Sequence, residues 1–147
     1  MPRDFKTVLC GTDFTDYSYT ALDYALRFAR LADGVLIVAH FVHVPTSDIY
    51  TEEEFHPTFE QARQRARRKL EELHTTRLEG YAKTELAVEI GVPAEMLIQL
   101  AIDRRIDVLV TATHGRSELA ELIMGSTAEK LIRHAPCPVF VVRHGLG

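Results

Sequence analysis

The sequence predicts an α/β fold, an open five-stranded parallel sheet with helices packed on both faces. Two observations carry this expectation. Five short apolar runs alternate with longer amphipathic stretches, the pattern of strands joined by helical crossovers. Several of the runs, "VLIVAHFVHV" above all, are apolar almost without interruption, as strands covered on both faces must be.

Each element follows in order. "KTVLCGT" (6–12) reads as the first strand. "YSYTALDYALRFARLAD" (17–33) reads as a helix, with Leu22, Ala25, Leu26 and Ala29 on one apolar face. Thr15 or Asp16 is placed to cap it, and Gly34 to end it. The second strand covers 35–44, and a loop with at most one helical turn covers 45–60. "QARQRARRKLEELHTTRLEGY" (61–81) is strongly helical, "KTELAVEI" (83–90) alternates like a strand, and Gly91 breaks it. A helix over 93–105 follows, with Pro93 in its first turn, where a missing N–H does no harm. The fourth strand is 107–112, the last helix 126–135, stopped by Pro136, and the last strand 138–143.

The bulk numbers narrow the function classes. A chain of 147 residues fits a single domain, 1–147, with a real core. Apolar residues make up 46% and charged residues 26%, a globular profile. A formal charge of -4 argues against non-specific nucleic-acid binding, which depends on neutralising phosphates. No run approaches the roughly 20 apolar residues that cross a bilayer, and the opening "MPRDFKTVLCGTDF" does not read as a signal peptide. A cytoplasmic protein without membrane contact is expected. Cys10 and Cys137 lie far apart in apolar stretches and read as buried thiols. Arg63, Arg65, Arg67, Arg68 and Lys69 spread around one helix and read as a solvated face rather than a nucleic-acid patch.

In open α/β sheets, ligands bind beyond the carboxyl ends of the strands, where the strand order reverses. Three loops reach that edge: "GTDFTD" (11–16), "HVPTSD" (43–48) and "THGRSELAELIMGS" (113–126). The last is the informative one. Gly115 allows a positive φ or a close backbone approach to a ligand. Gly125 and Ser126 open the final helix, whose N–H groups and partial positive charge suit a phosphate. Ser126 adds a hydroxyl that can cap the helix or donate to a phosphate oxygen. "LAELIM" between them is apolar enough to fold back on the core and return Gly125 close to Gly115. The bland alternative is a plain turn followed by a capped helix. Arg116 could reach a phosphate or sit in solvent, while Glu118 and Glu121 in the same loop would repel one. Asp13 could cap the first helix together with Thr15. His40 and His43 do not form a shared metal site, because they point to opposite faces. His114 lines the proposed site, and His134 sits where a helix C-terminus favours a positive charge.

The motif and its surroundings resemble the universal stress protein family. Its pattern here is glycine, two residues, glycine, nine residues, glycine, then serine or threonine. This chain has Ala112-Thr113-His114-Gly115, nine residues, then Gly125-Ser126, so Ala112 stands where the first glycine would be. "VLCGTDFTDYSYTALDYAL", "VLIVAHFVHV", "GVPAEMLI", "DVLVTATHGR" and "HAPCPVFVVR" extend the likeness over nearly the whole chain, with only 45–82 individual. The resemblance implies strand order 3-2-1-4-5 and a homodimer paired through the last strand, here Val139 to Arg143. That strand would otherwise be an exposed apolar edge.

Some members of the family bind ATP, and others, lacking the glycine motif, do not. Carried over from the binders, Asp13, with Gly11 and Thr12 beside it, meets the nucleoside. The end of the second strand at Phe41, or Val42, offers backbone to adenine. Ala112, Gly115, Arg116, Gly125, Ser126 and Thr127 surround ribose and phosphates. Three functions stay open at this point. The first is a dimeric ATP-binding module acting in a stress response. The second is a slow ATP hydrolase using Mg²⁺, with Asp13 as its protein ligand. The third is a nucleotide-free dimer that binds a protein partner.

Overall fold

The structure, a computed structural model, describes residues 4–43, 52–114 and 124–143, with the backbone alone over 52–58. The elements run β1 (Thr7–Gly11), α1 (Asp16–Ala32), β2 (Val35–Val42), α2 (Glu52–Thr75), β3 (Thr84–Ile90), α3 (Pro93–Asp103), β4 (Val108–Ala112), α4 (Ser126–His134) and β5 (Val139–Val142). The five strands form one parallel sheet in the order β3-β2-β1-β4-β5. The expected class and strand order are both present.

Period-two alternation sorts the strand residues between two apolar clusters. Val8, Cys10, Leu36, Val38, Val108 and Val110 pack with Leu22, Ala25 and Leu26 of α1 and with Ala66 and Leu70 of α2. Leu9, Ile37, Ala39, Phe41 and Leu109 pack on the other face with Leu97 and Ala101 of α3 and Leu131 of α4. Helices therefore cover both faces, which is why the inner strands β1, β2 and β4 read as continuous apolar runs. The four residues expected on the apolar face of α1 are all buried, joined by Ser18 and Ala21.

Several boundaries differ from the sequence expectation. The helix expected over 61–81 runs over 52–75 instead. Its start lies inside the stretch expected to be a loop, where Pro57 and the acidic run "EEE" disguised it. It ends early because Glu79 (φ 53°) and Gly80 (φ 66°) turn left-handed, and the Gly80 N–H reaches back to the His74 carbonyl at 2.7 Å. Between the two alternatives for the cap of α1, Thr15 holds it: its side chain accepts from the Ser18 N–H. The left-handed residue that closes α1 is Asp33 (φ 49°), not Gly34. Gly34 is needed for a different reason: a Cβ there would lie 2.4 Å from the Lys6 carbonyl oxygen. Cys10 is fully buried, and burial, aided by the charge of Asp23, pushes its thiol far above the ordinary range. Cys137 is only half-buried, contrary to expectation. Arg65, Arg67, Arg68 and Lys69 are exposed, as a solvated face requires, and Arg63 is half-buried beside Glu60.

Gly34→Ala should therefore cost about 1–3 kcal/mol, because the clash is with backbone that cannot rotate away. Urea unfolding of the variant beside the parent chain measures it, and an unchanged midpoint would contradict the packing described.

Candidate functional site

The cleft lies at the carboxyl edge of the sheet, between the ends of β1 and β4. Gly11, Thr12 and Asp13 come from the loop after β1, and Ala39, His40 and Phe41 from β2. Pro93 and Leu97 of α3 form one wall, and Ser18 of α1 lies on the opposite face. Thr111 to His114 leave β4, and Gly125 to Ala128 bring in the start of α4. Eight of the ten expected contact residues thus line one cleft. The other two, Gly115 and Arg116, lie outside the described residues, as do Glu118 and Glu121. Val42, the alternative to Phe41, is not among the lining residues.

The return of the chain after β4 is fixed by one short bond. The Gly125 N–H donates to the Thr113 carbonyl at 2.6 Å. Gly125 is buried and is the N-cap of α4, with φ −64° and ψ 155°, and no side chain caps the helix. Of the two roles open to Ser126, the cap is not taken: Ser126 is the first helical residue, and it is exposed. The N–H groups of Ser126, Thr127 and Ala128 have no backbone acceptor among the described residues. They sit at the positive end of the helix dipole, in the cleft wall.

Asp13 does support the first helix, through Thr15. One of its carboxylate oxygens accepts the Thr15 N–H at 3.1 Å and also the Thr15 hydroxyl. Turn and cleft roles coincide in this residue, since it is half-buried and lines the cleft. His40 donates from Nδ1 to the Thr12 carbonyl at 2.8 Å, because a carbonyl can only accept. Its ring lies 4.4 Å from that of Phe14. Phe14 escaped the sequence reading. It adopts a left-handed backbone (φ 64°), held by its N–H to the Thr12 hydroxyl at 3.1 Å. A bulky residue there is strained, and no sequence signal marks it. His43 lies just past β2 and is exposed, so the two histidines do not share a site. His114 lines the cleft, with Nδ1 2.9 Å from the Thr113 hydroxyl and its ring 5.6 Å from Tyr17.

Ala112 is the departure from the glycine pattern. By alternation its methyl packs with the α1/α2 cluster, beside Val110 and Cys10, not on the α3/α4 face. The replacement therefore leaves the α4 side of the cleft clear. Four buried residues with polar side chains stand among the described residues: Thr12, Ser18, Thr111 and Thr113. All four line this cleft. Burying polar groups is costly away from a partner, so their collection at one edge marks a place built to hold polar atoms.

The universal stress protein family model matches residues 4–143. A universal stress protein of Thermus aquaticus is 34% identical over 144 residues, covering 95% of this chain and 99% of the relative. The chain belongs to the universal stress protein family. The solved structure of MJ0577, a universal stress protein of Methanocaldococcus jannaschii, is similar with a TM-score of 0.79 at 26% identity, covering 99% and 100% of the two chains. Two further members share the fold. One, in complex with cAMP, has a TM-score of 0.65 at 22% identity, covering 95% of this chain and 98% of its own. The other, from Archaeoglobus fulgidus in complex with dAMP, has a TM-score of 0.59 at 17% identity, with the same coverage.

Proposed function

We propose that this chain is a cytoplasmic, dimeric module of one domain that binds an adenine nucleotide, ATP, in the cleft at the β1/β4 edge. The observation that carries the reading is the gathering of the four buried hydroxyl side chains of the described residues in the cleft that the first turn of α4 also lines. The apolar end of the cleft, Ala39, Phe41 and Leu97, suits a base. The helix mouth suits phosphates, since the N–H groups of its first turn have no backbone acceptor among the described residues. In this reading Gly11, Thr12 and Asp13 meet the nucleoside, while Gly125, Ser126 and Thr127 hold the phosphates with Gly115 and Arg116. The universal stress proteins in complex with cAMP and dAMP support an adenine ligand. The side-chain direction of Ala112 favours binding over the nucleotide-free alternative.

Mg²⁺ would accompany the triphosphate. Among the described residues no group of three His, Cys, Asp or Glu gathers to hold a metal. Asp13 is the one carboxylate of the described cleft, and magnesium is commonly bound by one carboxylate together with substrate phosphates. Among the described residues no helix is long and apolar enough to cross a membrane.

For the dimer, β5 is an outer strand whose free edge offers backbone groups. The Pro138 and Val142 carbonyls both bond to β4, so by alternation the Val139 and Val141 backbone groups point outward. A second copy pairing there would cover them.

Mg-ATP at 100 times its dissociation constant should add about 2.7 kcal/mol of stability. A thermal melt with and without the nucleotide reads this as a raised midpoint. Gly125→Val should abolish the shift while circular dichroism shows the apo fold intact. No shift in the parent chain would transfer support to the nucleotide-free reading, and a preserved shift in the variant would put the phosphates elsewhere. Val141→Pro removes an outward N–H without touching the β4 ladder and should turn the dimer into a monomer in sedimentation equilibrium. A dimer that survives this change does not use the β5 edge.

A further inference from the structure

Three of the four buried hydroxyls in the cleft are well engaged within the protein. The Ser18 hydroxyl donates to the Thr15 carbonyl at 2.8 Å and lies 2.8 Å from the Thr12 hydroxyl, which also accepts the Phe14 N–H. The Thr113 hydroxyl pairs with His114 at 2.9 Å. Thr111 is the exception. It is only 9% exposed, and among the described residues its hydroxyl has one hydrogen-bond partner, the carbonyl of its own neighbour Ala112 at 3.4 Å. Hydroxyl–carbonyl bonds cluster near 2.7–2.8 Å, so this one is weak. A buried hydroxyl so poorly satisfied calls for another partner.

The position of Thr111 says what that partner is. It follows the last β1–β4 pair, Cys10 with Val110, and therefore flanks Gly11. By alternation its side chain shares the face of Leu109, the α3/α4 face. Gly11 opens to the same face, since a Cβ there would meet Leu97 at 3.0 Å. Across the sheet, the cleft floor on this face runs from Ala39 and Phe41 on β2, past Gly11 on β1, to Thr111 on β4. The mouth of α4 lies beyond. A nucleotide with its base on the apolar end and its phosphates at the helix mouth sets its sugar over Thr111.

We infer that Thr111 is a specificity-determining residue of the cleft, whose hydroxyl hydrogen-bonds a ribose hydroxyl of the bound adenine nucleotide. The inference rests on the nucleotide reading above and deepens it. Val has nearly the shape of Thr, so Thr111→Val removes the hydroxyl and little else. Removing a hydroxyl that makes no good internal bond leaves the apo fold unharmed.

Calorimetric titration of ATP, 2′-deoxy-ATP and 3′-deoxy-ATP into the parent chain and the Thr111→Val variant tests it. The parent chain should bind one of the two deoxy analogues roughly five- to tenfold more weakly than ATP, the worth of one neutral hydrogen bond. The variant should bind ATP as weakly as the parent binds that analogue, with no further loss for the analogue itself. Thr111→Ser should restore the preference for ATP. Equal weakening of all three nucleotides by Thr111→Val, or no weakening, overturns the inference while the nucleotide reading stands. A parent chain that binds none of the three overturns both. A Thr111→Val chain that fails to fold shows the hydroxyl to be structural and also overturns the inference.

Discussion

Parallel pairing of all five strands is the constraint from which the rest follows. Strands that run one way bring every carboxyl end to the same edge, and each connection must cross back over a face. After β1 the chain passes to the face that carries α1 and α2. After β4 it passes to the opposite face, with α3 and α4. The loops leaving these two neighbouring strands part to opposite sides, and a crevice opens between them. The cleft is thus a product of strand order before any of its side chains is considered.

What turns the crevice into a polar site is the way its backbone is held. The bond from Gly125 to the Thr113 carbonyl brings the start of α4 against the end of β4. Glycine at the cap leaves no side chain to fold over the first turn, and the next three residues, whose N–H groups have no backbone acceptor among the described residues, line the opening. On the other side, His40, Phe14 and Thr12 brace the loop that presents Asp13. The left-handed backbone at Phe14 is a local cost, and such costs collect where a loop must present a particular group.

The fold was legible because burial on both faces writes itself into composition: strands such as Val35–Val42 have no exposed face that could be polar. Helix ends were less legible. Gly34 and Asp33 are adjacent, and a glycine after a helix signals a left-handed cap, yet here the steric need at Gly34 came from Lys6, a contact across the sheet. The early start of α2 was hidden because acidic residues and a proline near a helix N-terminus look like loop composition. In the site, the glycines stood out by type and spacing, and Asp13 through the family resemblance. Thr111 did not, since a threonine in a strand is ordinary; only its depth and its long hydrogen bond set it apart. Ser126 looked like a cap because serine favours that position, but Gly125 occupies it.

Amide chemical shifts followed during a Mg-ATP titration test the central claim most directly, since they report which N–H groups the ligand meets. The account predicts the largest changes at Ser126, Thr127 and Ala128, with a second set at Thr12 and Asp13. Changes confined to the far side of α1 and α2, around Lys69 and Arg77, with the mouth of α4 undisturbed, would contradict it.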